Sequence, residues 1–365
     1  MRSEQILAFR FARTGLSERE STDLASAFDC PASDVAKDAA LTAVGARVEG
    51  VDRATYENAV DRGALVLGHI VRGAIHVMAP EDHALFGRRL VSSNDDELAR
   101  QLGPAATELC EDHRIRLCDA LDEVAAAIAG VLDHGRRLTK NELHEALRDT
   151  VQEDLLPWCE GCQSHHVSPM LWRHGTAVAG ARLDAKRRYL IGGASDPPPA
   201  HEAVHRYLRW YAPATPGAFS EWAGVAPSHG RRLWEEIADE LVEVEDAFGD
   251  PAWVLAEDVD EFEDPPSPEG VRLLPAGDPY LWKPNRVLLA PDDEVRKQLF
   301  RPVSSPGAVL RDGRLAGTWR ARSSKGVVDV TVETFGRVPR QLLEEEAQRL
   351  AILRGVGEAH VIVGS

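Results

Sequence analysis

Residues 211–237 read YAPATPGAFSEWAGVAPSHGRRLWEEI, and this stretch decides the fold class. Thr215 followed by Pro216 predicts a helix start, because a threonine side chain caps a helix well and proline fits its first position. Gly224 begins the turn that ends this helix, and Ser228 is predicted to cap a second one. Two short helices joined by a tight turn favour a helix-turn-helix unit of the winged-helix type.

Upstream of this module the pattern is mostly helical. Residues 36–48 are rich in alanine and predict a helix, which Asp34 would cap or begin. Residues 65–78 predict a pair of short strands, because apolar and β-branched residues surround a central Arg-Gly turn. Thr139 and Glu142 have the spacing of a capping box, which predicts a helix start there.

The C-terminal part changes to a strand-rich pattern. The predicted strands are residues 271–274, 287–289, 308–310, 318–321 and 327–332. Asp312-Gly313 is typical of a hairpin turn, and residues 341–353 predict a closing helix. Helices followed by a run of strands indicate an α+β protein.

The composition bounds the class of protein. At 365 residues the chain has room for two or three domains, and its 44% hydrophobic content is normal for a globular protein. No apolar run approaches the length of a membrane-spanning helix, so we expect no membrane partner. Five cysteines, an odd number, indicate a reducing cytoplasm rather than a disulfide framework. The net charge of −17 argues against nucleic-acid affinity spread over the whole surface.

Residues 158–166, WCEGCQSHH, hold the densest chemistry in the chain. Cys159 and Cys162 have the Cys-x-x-Cys spacing that directs two thiolates at one zinc ion, and His165 or His166 could supply a third ligand. Adjacent side chains on a strand point to opposite faces, so we expect at most one of these histidines on the same ion. Zinc is the expected cofactor, with haem as an alternative. A structural or redox dithiol and an ordinary turn are the other interpretations.

Local basic groups are the candidates for phosphate contacts in a chain this acidic. They are Arg72, Arg136, Arg137, Lys140, Lys186, Arg187, Arg231 and Arg232. Their alternative interpretation is a solvated face with acidic neighbours. Residues 233–271 contain no Lys or Arg but many carboxylates, and such a run beside a recognition helix repels phosphate.

Several stretches, in order along the chain, together resemble the winged-helix DNA-binding family of AlkZ- and YcaQ-type DNA glycosylases. They are Arg72–His76, Tyr211–Gly224, Leu274–Tyr280, Arg301-Pro302, Pro306–Leu310 and Asp312–Arg320. The resemblance implies tandem winged helices followed by a small C-terminal β-barrel. We therefore expect three domains. They are a winged-helix domain over residues 1–132, two further winged-helix modules with the Cys/His cluster over 133–265, and the β-domain with its closing helix over 266–365.

The resemblance also implies a catalytic motif, Gln-x-Gln or Gln-x-Asp, at the entry to a helix that ends in Ala-Arg-Val. The matching residues are Ala32-Ser33-Asp34, ahead of the Ala-Arg-Val at residues 46–48. Asp34 keeps the acidic position, whereas Ala32 lacks the glutamine amide. One carboxylate can orient a water or stabilise a cationic sugar. We take Asp34 and His76 as catalytic candidates; a plain helix cap and a buried, hydrogen-bonded histidine are their alternatives.

Three functions follow from these features. The first is a DNA glycosylase, a hydrolase of N-glycosidic bonds, acting on alkylated bases of double-stranded DNA in repair or self-resistance. The second is a metal- or haem-bearing enzyme that uses the scaffold on a small-molecule substrate. The third is a DNA-binding regulator without enzymatic activity. A family resemblance predicts fold better than function, so the sequence leaves all three functions open.

Overall fold

The computed structural model of the protein describes residues 2–19, 24–25, 29–36, 38–155, 170–192, 197–301, 304–324 and 326–364. The chain divides into two compact units. Unit 1 comprises Met1–Ala59, Leu208–Ala214 and Glu240–Ser365, and unit 2 comprises Val60–Tyr207 and Thr215–Asp239. The domain boundaries predicted after residues 132 and 265 stay predictions.

Helices and strands are both abundant, which confirms the α+β class. The described helices are α1 (Arg2–Arg13), α2 (Ala39–Gly45), α3 (Arg53–Arg62), α4 (Pro80–Ala84), α5 (Asp95–Leu102), α6 (Pro104–His113), α7 (Leu117–Val131), α8 (Lys140–Leu147), α9 (Met170–Val178), α10 (Glu202–Tyr211), α11 (Pro216–Ala223), α12 (Pro227–Glu235), α13 (Val259–Glu263), α14 (Lys283–Leu289), α15 (Asp293–Leu299) and α16 (Arg340–Leu353). The described strands are β1 (Ala32–Ser33), β2 (Val66–His69), β3 (Ile75–Met78), β4 (Ala181–Leu183), β5 (Tyr189–Ile191), β6 (Leu241–Glu245), β7 (Pro251–Leu255), β8 (Val271–Leu274), β9 (Gly307–Arg311), β10 (Arg314–Ser324), β11 (Val327–Thr334) and β12 (Glu358–Gly364). In this part of the chain, every helix is too short or too polar to cross a membrane.

Unit 1 is built on a five-stranded sheet with the order β12-β11-β10-β9-β8. Its neighbours are antiparallel, except that β12 runs parallel to β11. Alternate residues of β11 are fully buried, and they pack against the apolar face of α16. In the described part of the chain no pairing joins β8 to β12, so this sheet is open and the barrel stays a prediction.

The predicted elements of unit 1 are confirmed where the local signal was strong. The hairpin turn at Asp312-Gly313 joins β9 to β10, and α16 covers the predicted closing helix. The strand predicted at residues 287–289 is wrong, because these residues end α14, which has proline in its first turn. The helix predicted over residues 36–48 is shorter, because Asp38 has φ 61°, a left-handed conformation that no residue within an α-helix adopts.

Unit 2 contains the four strands β3, β2, β4 and β5, antiparallel in that order. The predicted strand pair around Arg72 is therefore confirmed. Helix α9 lies very close to α7, since a Cβ added at Gly175 would come within 2.9 Å of Val124 Cγ1. The predicted capping box of Thr139 and Glu142 is present at the start of α8.

The helix-turn-helix of residues 211–237 is α11 followed by α12. Thr215 caps α11 by accepting a hydrogen bond from the Ala218 N–H at 3.2 Å, as predicted. The cap predicted at Ser228 is wrong. Helix α12 starts two residues earlier, at Pro227 with Ala226 as its N-cap, and the Ser228 hydroxyl donates to the Glu97 carboxylate at 2.7 Å. The Ser228 side chain, which the local sequence pattern predicts to cap a helix, instead binds Glu97, which is distant in sequence.

Unit 2 also buries a group of histidines beside aromatic rings. The His144 and His69 rings lie 5.1 and 5.8 Å from the Trp172 ring, and Trp172 lies 5.2 Å from Tyr189. Burial lowers the pKa of four of these histidines to about 4; they are His69, His83, His144 and His174. It lowers the pKa of His76 to about 3. All five are neutral at pH 7.

These histidines predict a loss of stability in mild acid. The unfolded chain binds protons below about pH 6.5, whereas the folded chain excludes them until the pH approaches the lowered pKa, so the free energy of unfolding falls over this interval. We expect the urea concentration at the midpoint of unfolding of unit 2 to decrease steadily from pH 7 to pH 5. Urea titrations followed by tryptophan fluorescence measure this midpoint at each pH.

The test variant is His174→Gln, in the buried group. Its control is His134→Gln, because the His134 side chain is 92% exposed. Replacing His174 should flatten the pH dependence, and replacing His134 should leave it as it is. Equal slopes for the two variants would contradict this explanation.

Candidate active site

Asp34 follows β1 in unit 1, and its side chain is buried, with the residue 5% exposed. One carboxylate oxygen accepts a hydrogen bond from the Ala40 N–H at 2.9 Å, in the first turn of α2. The N-cap residue itself, Asp38, makes no side-chain cap bond. Asp34 therefore caps α2 from outside the helix, which holds its carboxylate in one orientation. The other predicted motif position, Ala32, is 1% exposed and carries only a methyl group.

A buried ion pair fixes the far end of α2. The Arg47 guanidinium binds both carboxylate oxygens of Asp278, at 2.8 and 2.9 Å, and the two side chains are 2% and 0% exposed. Two of its other N–H groups donate to the carbonyls of Thr14 and Ala43. Burial lowers the pKa of Arg47, but the charge and the hydrogen bonds of Asp278, with smaller contributions from neighbouring groups, together raise it, so the guanidinium stays charged.

The loop that carries Asp278 packs against the predicted motif. Gly277 has φ 87°, and a Cβ added there would lie 3.4 Å from Ser33 Cβ, so glycine suits both the backbone conformation and the close approach. The Asp278 carboxylate also accepts from the Tyr280 N–H at 3.0 Å. The Tyr280 hydroxyl in turn lies 2.8 Å from the Gly313 carbonyl. The ion pair thus positions the neighbours of β1 as well as α2.

Residues 211–213 join the same network in unit 1. Arg10 donates to the carbonyls of Ala212 and Pro213 at 3.1 and 2.9 Å, and the Tyr211 hydroxyl donates to the Pro279 carbonyl at 3.0 Å. The Tyr211 hydroxyl also lies 3.6 Å from Cys30 Sγ. Burial raises the pKa of the Cys30 thiol well above its usual value, so this cysteine is a protonated core residue and not a nucleophile.

His76 lies in β3 of unit 2 and is 4% exposed. Its Nδ1 lies 3.0 Å from the Ala74 carbonyl, which makes Nδ1 the protonated nitrogen of the neutral ring. Burial lowers its pKa to about 3. The imidazole therefore holds no transferable second proton at neutral pH, and this geometry fits the alternative of a buried, hydrogen-bonded histidine.

Two of the predicted phosphate-binding arginines are engaged within unit 2. Arg72 has φ 55° and donates to the Trp222 carbonyl, and a Cβ added at Gly224 would come within 2.6 Å of its Cγ. Arg232 binds both oxygens of the buried Glu97 carboxylate at 2.6 and 2.8 Å. The Arg232 and Ser228 bonds hold the pKa of Glu97 far below its ordinary value. Both arginines position the helix-turn-helix, and Arg231 beside them is exposed.

The other predicted basic residues lie near a turn of unit 2 between β4 and β5. Asp184, 1% exposed, organises this turn by accepting from the N–H groups of Lys186 and Arg188 and from the Arg188 guanidinium. Leu138 and Tyr189 exchange backbone hydrogen bonds, which brings the loop before α8 alongside. We call the exposed side chains of the two segments the basic turn; they are Arg136, Arg137, Lys186 and Arg187.

Lys140, predicted with this group, lies with its ammonium 5.9 Å from the centre of the Trp172 ring. Arg137 also approaches the Asp184 carboxylate at 3.6 Å. In the basic turn, therefore, hydrogen bonds to Asp184 fix the backbone between β4 and β5, while the basic side chains are exposed to solvent.

The Cys/His cluster of Cys159, Cys162, His165 and His166 lies outside the described residues. Within the described ranges, no three His, Cys, Asp or Glu side chains are grouped so that they could hold a metal ion.

A second metal-like spacing, His201-Glu202-Ala203-Val204-His205, matches the His-Glu-x-x-His pattern of zinc enzymes. In unit 2, however, His201 Nδ1 lies 2.8 Å from Glu236, and His205 Nδ1 lies 3.1 Å from Glu202. Each imidazole thus binds a carboxylate through Nδ1, and these residues are not among any described group of three placed to hold a metal ion.

Sequence reasoning missed the partners rather than the residues. Arg47 and Asp278 were each part of a stretch that resembles the family, but nothing in the sequence pairs them. Asp184 gave no signal beyond its place before three basic residues.

Comparisons with known proteins agree with the resemblance. The family model described as DNA glycosylase AlkZ-like matches residues 32–353. An interstrand DNA cross-link repair glycosylase from Streptomyces sahachiroi is 27% identical over 338 residues, which is 87% of this chain and 86% of that protein. The solved structure of Streptomyces sahachiroi DNA glycosylase AlkZ has a TM-score of 0.77 at 23% identity and covers 99% of both chains, which shows a shared fold.

The Arg47–Asp278 pair predicts a large loss of stability when one partner is removed. Arg47→Met should lower the free energy of unfolding by about 3–5 kcal/mol, because it leaves an unpaired carboxylate in the core. Guanidinium unfolding measures this. The control is Arg340→Met, which breaks the exposed pair with Glu344 and should cost less than about 1 kcal/mol.

The double variant Arg47→Met/Asp278→Leu separates charge from shape. It should recover part of the loss, because two apolar groups leave no buried charge. Similar losses for Arg47→Met and Arg340→Met would show that the buried pair has no special weight.

Proposed function

The chain belongs to the AlkZ-like DNA glycosylase family, and from this premise we propose that it hydrolyses the N-glycosidic bonds of alkylated bases in double-stranded DNA. The observation that carries the proposal is the buried, oriented carboxylate of Asp34, at the position where the family resemblance places a catalytic acid residue. DNA repair or resistance to an alkylating compound is the corresponding role. The likeness to a cross-link repair glycosylase supports the repair role.

The chemistry requires little more than one fixed negative charge. Cleavage of a glycosidic bond develops positive charge on the sugar, and a nearby carboxylate stabilises that charge or orients the attacking water. An alkylated purine is already a good leaving group, because alkylation on the ring places positive charge on the base. Asp34 can therefore act without the missing glutamine amide, and Ala32 predicts a slower reaction than a complete motif would give.

Three structural features support a winged-helix mode of DNA binding. Helices α10, α11 and α12 are followed along the chain by the hairpin of β6 and β7, which is the element order of a winged helix. Within unit 1, Ala214 exchanges both backbone hydrogen bonds with Trp253, adding the short third strand that such a wing contains. In unit 2, Gly224 and Arg72 fix the turn between α11 and α12.

The basic turn is the proposed site of phosphate contact in unit 2. Asp184 fixes the backbone of the turn, so that Lys186 and Arg187 project from a rigid base, with Arg136 alongside. Rigid placement reduces the entropy lost on binding. A local basic group of this kind resolves the conflict between a DNA substrate and a net charge of −17.

Zinc at Cys159 and Cys162, a cytoplasmic location and a small-molecule substrate stay predictions from the sequence. His76 has no proton-transfer role in the proposal.

The test of the proposed chemistry is Asp34→Asn. Asparagine keeps an oxygen that can accept from the Ala40 N–H, so the fold should be retained while the charge is lost. We expect release of an alkylated base from duplex DNA to fall at least 100-fold, the usual scale for removing such a group. Base release is measured by chromatography under single-turnover conditions.

Asp34→Ala is the companion variant, since it removes both the charge and the cap. It should lose the same activity and, in addition, about 0.5–2 kcal/mol of stability. Full activity in a folded Asp34→Asn protein would leave Asp34 with the capping role alone and refute the catalytic assignment.

A separate prediction concerns the basic turn. Arg136→Gln and Lys186→Gln should each reduce the slope of log K against log salt by about 0.9 for duplex binding, because each releases one counterion fewer. Fluorescence anisotropy at several salt concentrations measures the slope. Arg340→Gln, on the exposed surface of α16, removes one positive charge away from both proposed contacts and should leave the slope unchanged.

A further inference from the structure

A small polar pocket in unit 1 has no part in the proposed chemistry. It has a volume of about 130 Å³, below the roughly 300 Å³ at which pockets for drug-sized ligands begin. Its polar lining consists of Gln298, Arg301, Thr318, Arg320, Thr331 and Glu333. We propose that this pocket binds a single phosphoryl group, supplied by the backbone of the DNA substrate. The choice of DNA as the source rests on the proposed function.

The pocket lies on the face of the sheet opposite the α16 core. Thr318 pairs with Glu333 and Arg320 pairs with Thr331 across β10 and β11, so all four side chains share one face. Trp319, between them, lies on the other face and donates its indole N–H to the Leu274 carbonyl at 2.9 Å. The sheet register therefore brings an arginine, two hydroxyls and a carboxylate together.

Arg301 supplies the second guanidinium of this pocket, and backbone carbonyls hold both arginines. Arg301 donates from Nε to the Gln298 carbonyl at 3.0 Å, and Arg320 donates from Nη2 to the Ser304 carbonyl at 2.6 Å. A guanidinium has five N–H donors, so each arginine keeps further N–H groups for a ligand. Two oriented guanidiniums beside hydroxyl donors match the tetrahedral oxygens of a phosphoryl group, which arginine binds through paired hydrogen bonds.

The charge of the lining selects between kinds of phosphoryl group. Arg301 and Arg320 contribute two positive charges, and Glu333 is the opposing carboxylate in the lining, which leaves one net positive charge. A phosphodiester carries one negative charge, whereas a phosphate monoester carries nearly two at neutral pH. The pocket therefore suits a phosphodiester, the group that links nucleotides in DNA.

The pocket also accounts for stretches that the chemistry leaves unexplained. Arg301, Thr318 and Arg320 belong to segments that resemble the family, and all three line this pocket. A contact to the DNA backbone gives these residues a common purpose.

The test uses Arg301→Gln and Arg320→Gln, each compared with Arg340→Gln, which removes an exposed arginine of α16. The first arm titrates dimethyl phosphate, a phosphodiester without a nucleoside, and follows its phosphorus resonance. The second arm measures duplex binding against salt concentration. We expect the pocket variants to lose dimethyl phosphate binding. They should bind duplex DNA roughly tenfold more weakly, because a charged hydrogen bond is lost. Each should also reduce the slope of log K against log salt by about 0.9.

The outcomes separate the pocket from the proposed function. Loss of dimethyl phosphate binding with an unchanged duplex slope would keep the phosphoryl site but exclude DNA as its source. Variants that match Arg340→Gln in both arms, with unchanged thermal unfolding, would overturn the proposal. Glycosylase activity is measured separately. If the unsubstituted protein releases no alkylated base while Arg301→Gln and Arg320→Gln reduce the salt slope, the proposed catalysis is refuted and the pocket is supported.

Discussion

The structure of unit 1 depends on one buried contact between opposite charges. Arg47 and Asp278 are almost completely removed from water, and two such charges are stable only while they stay paired. The pair therefore fixes the end of α2 and the 277–280 loop in a single arrangement. Because Gly277 packs on Ser33 and Tyr211 binds the Pro279 carbonyl, that arrangement extends to the strand that precedes Asp34.

The basic residues divide by what they contact. Arg72 and Arg232 bind groups of unit 2 and contribute to its folding, whereas Lys186 projects from a turn that Asp184 makes rigid and Arg136 from the loop alongside it. An acidic protein can bind a polyanion only where positive charge is concentrated, since the rest of its surface repels it. Counting basic residues in the sequence cannot separate the two groups, because both look alike until their partners are known.

Local rules predicted local structure. The Thr215 cap and the capping box of Thr139 depend on neighbours within three residues, and both are present. The strand predicted at residues 287–289 failed, because three apolar residues fit a helix as well as a strand. The ion pair of Arg47 joins residues 231 positions apart. Nothing in the sequence predicts such a contact, and the position of Asp34 against α2 depends on it.

Asp34 has an evolutionary consequence that follows from its hydrogen bond to Ala40. The helix needs an acceptor atom at this position but is indifferent to its charge, and aspartate and asparagine cap helices about equally well. Their codons differ by a single nucleotide. Selection for folding therefore does not protect the negative charge of Asp34, and a lineage can lose or regain the charge that we propose for catalysis in one step without passing through an unfolded protein. Within such a family, silent and active members can share one architecture.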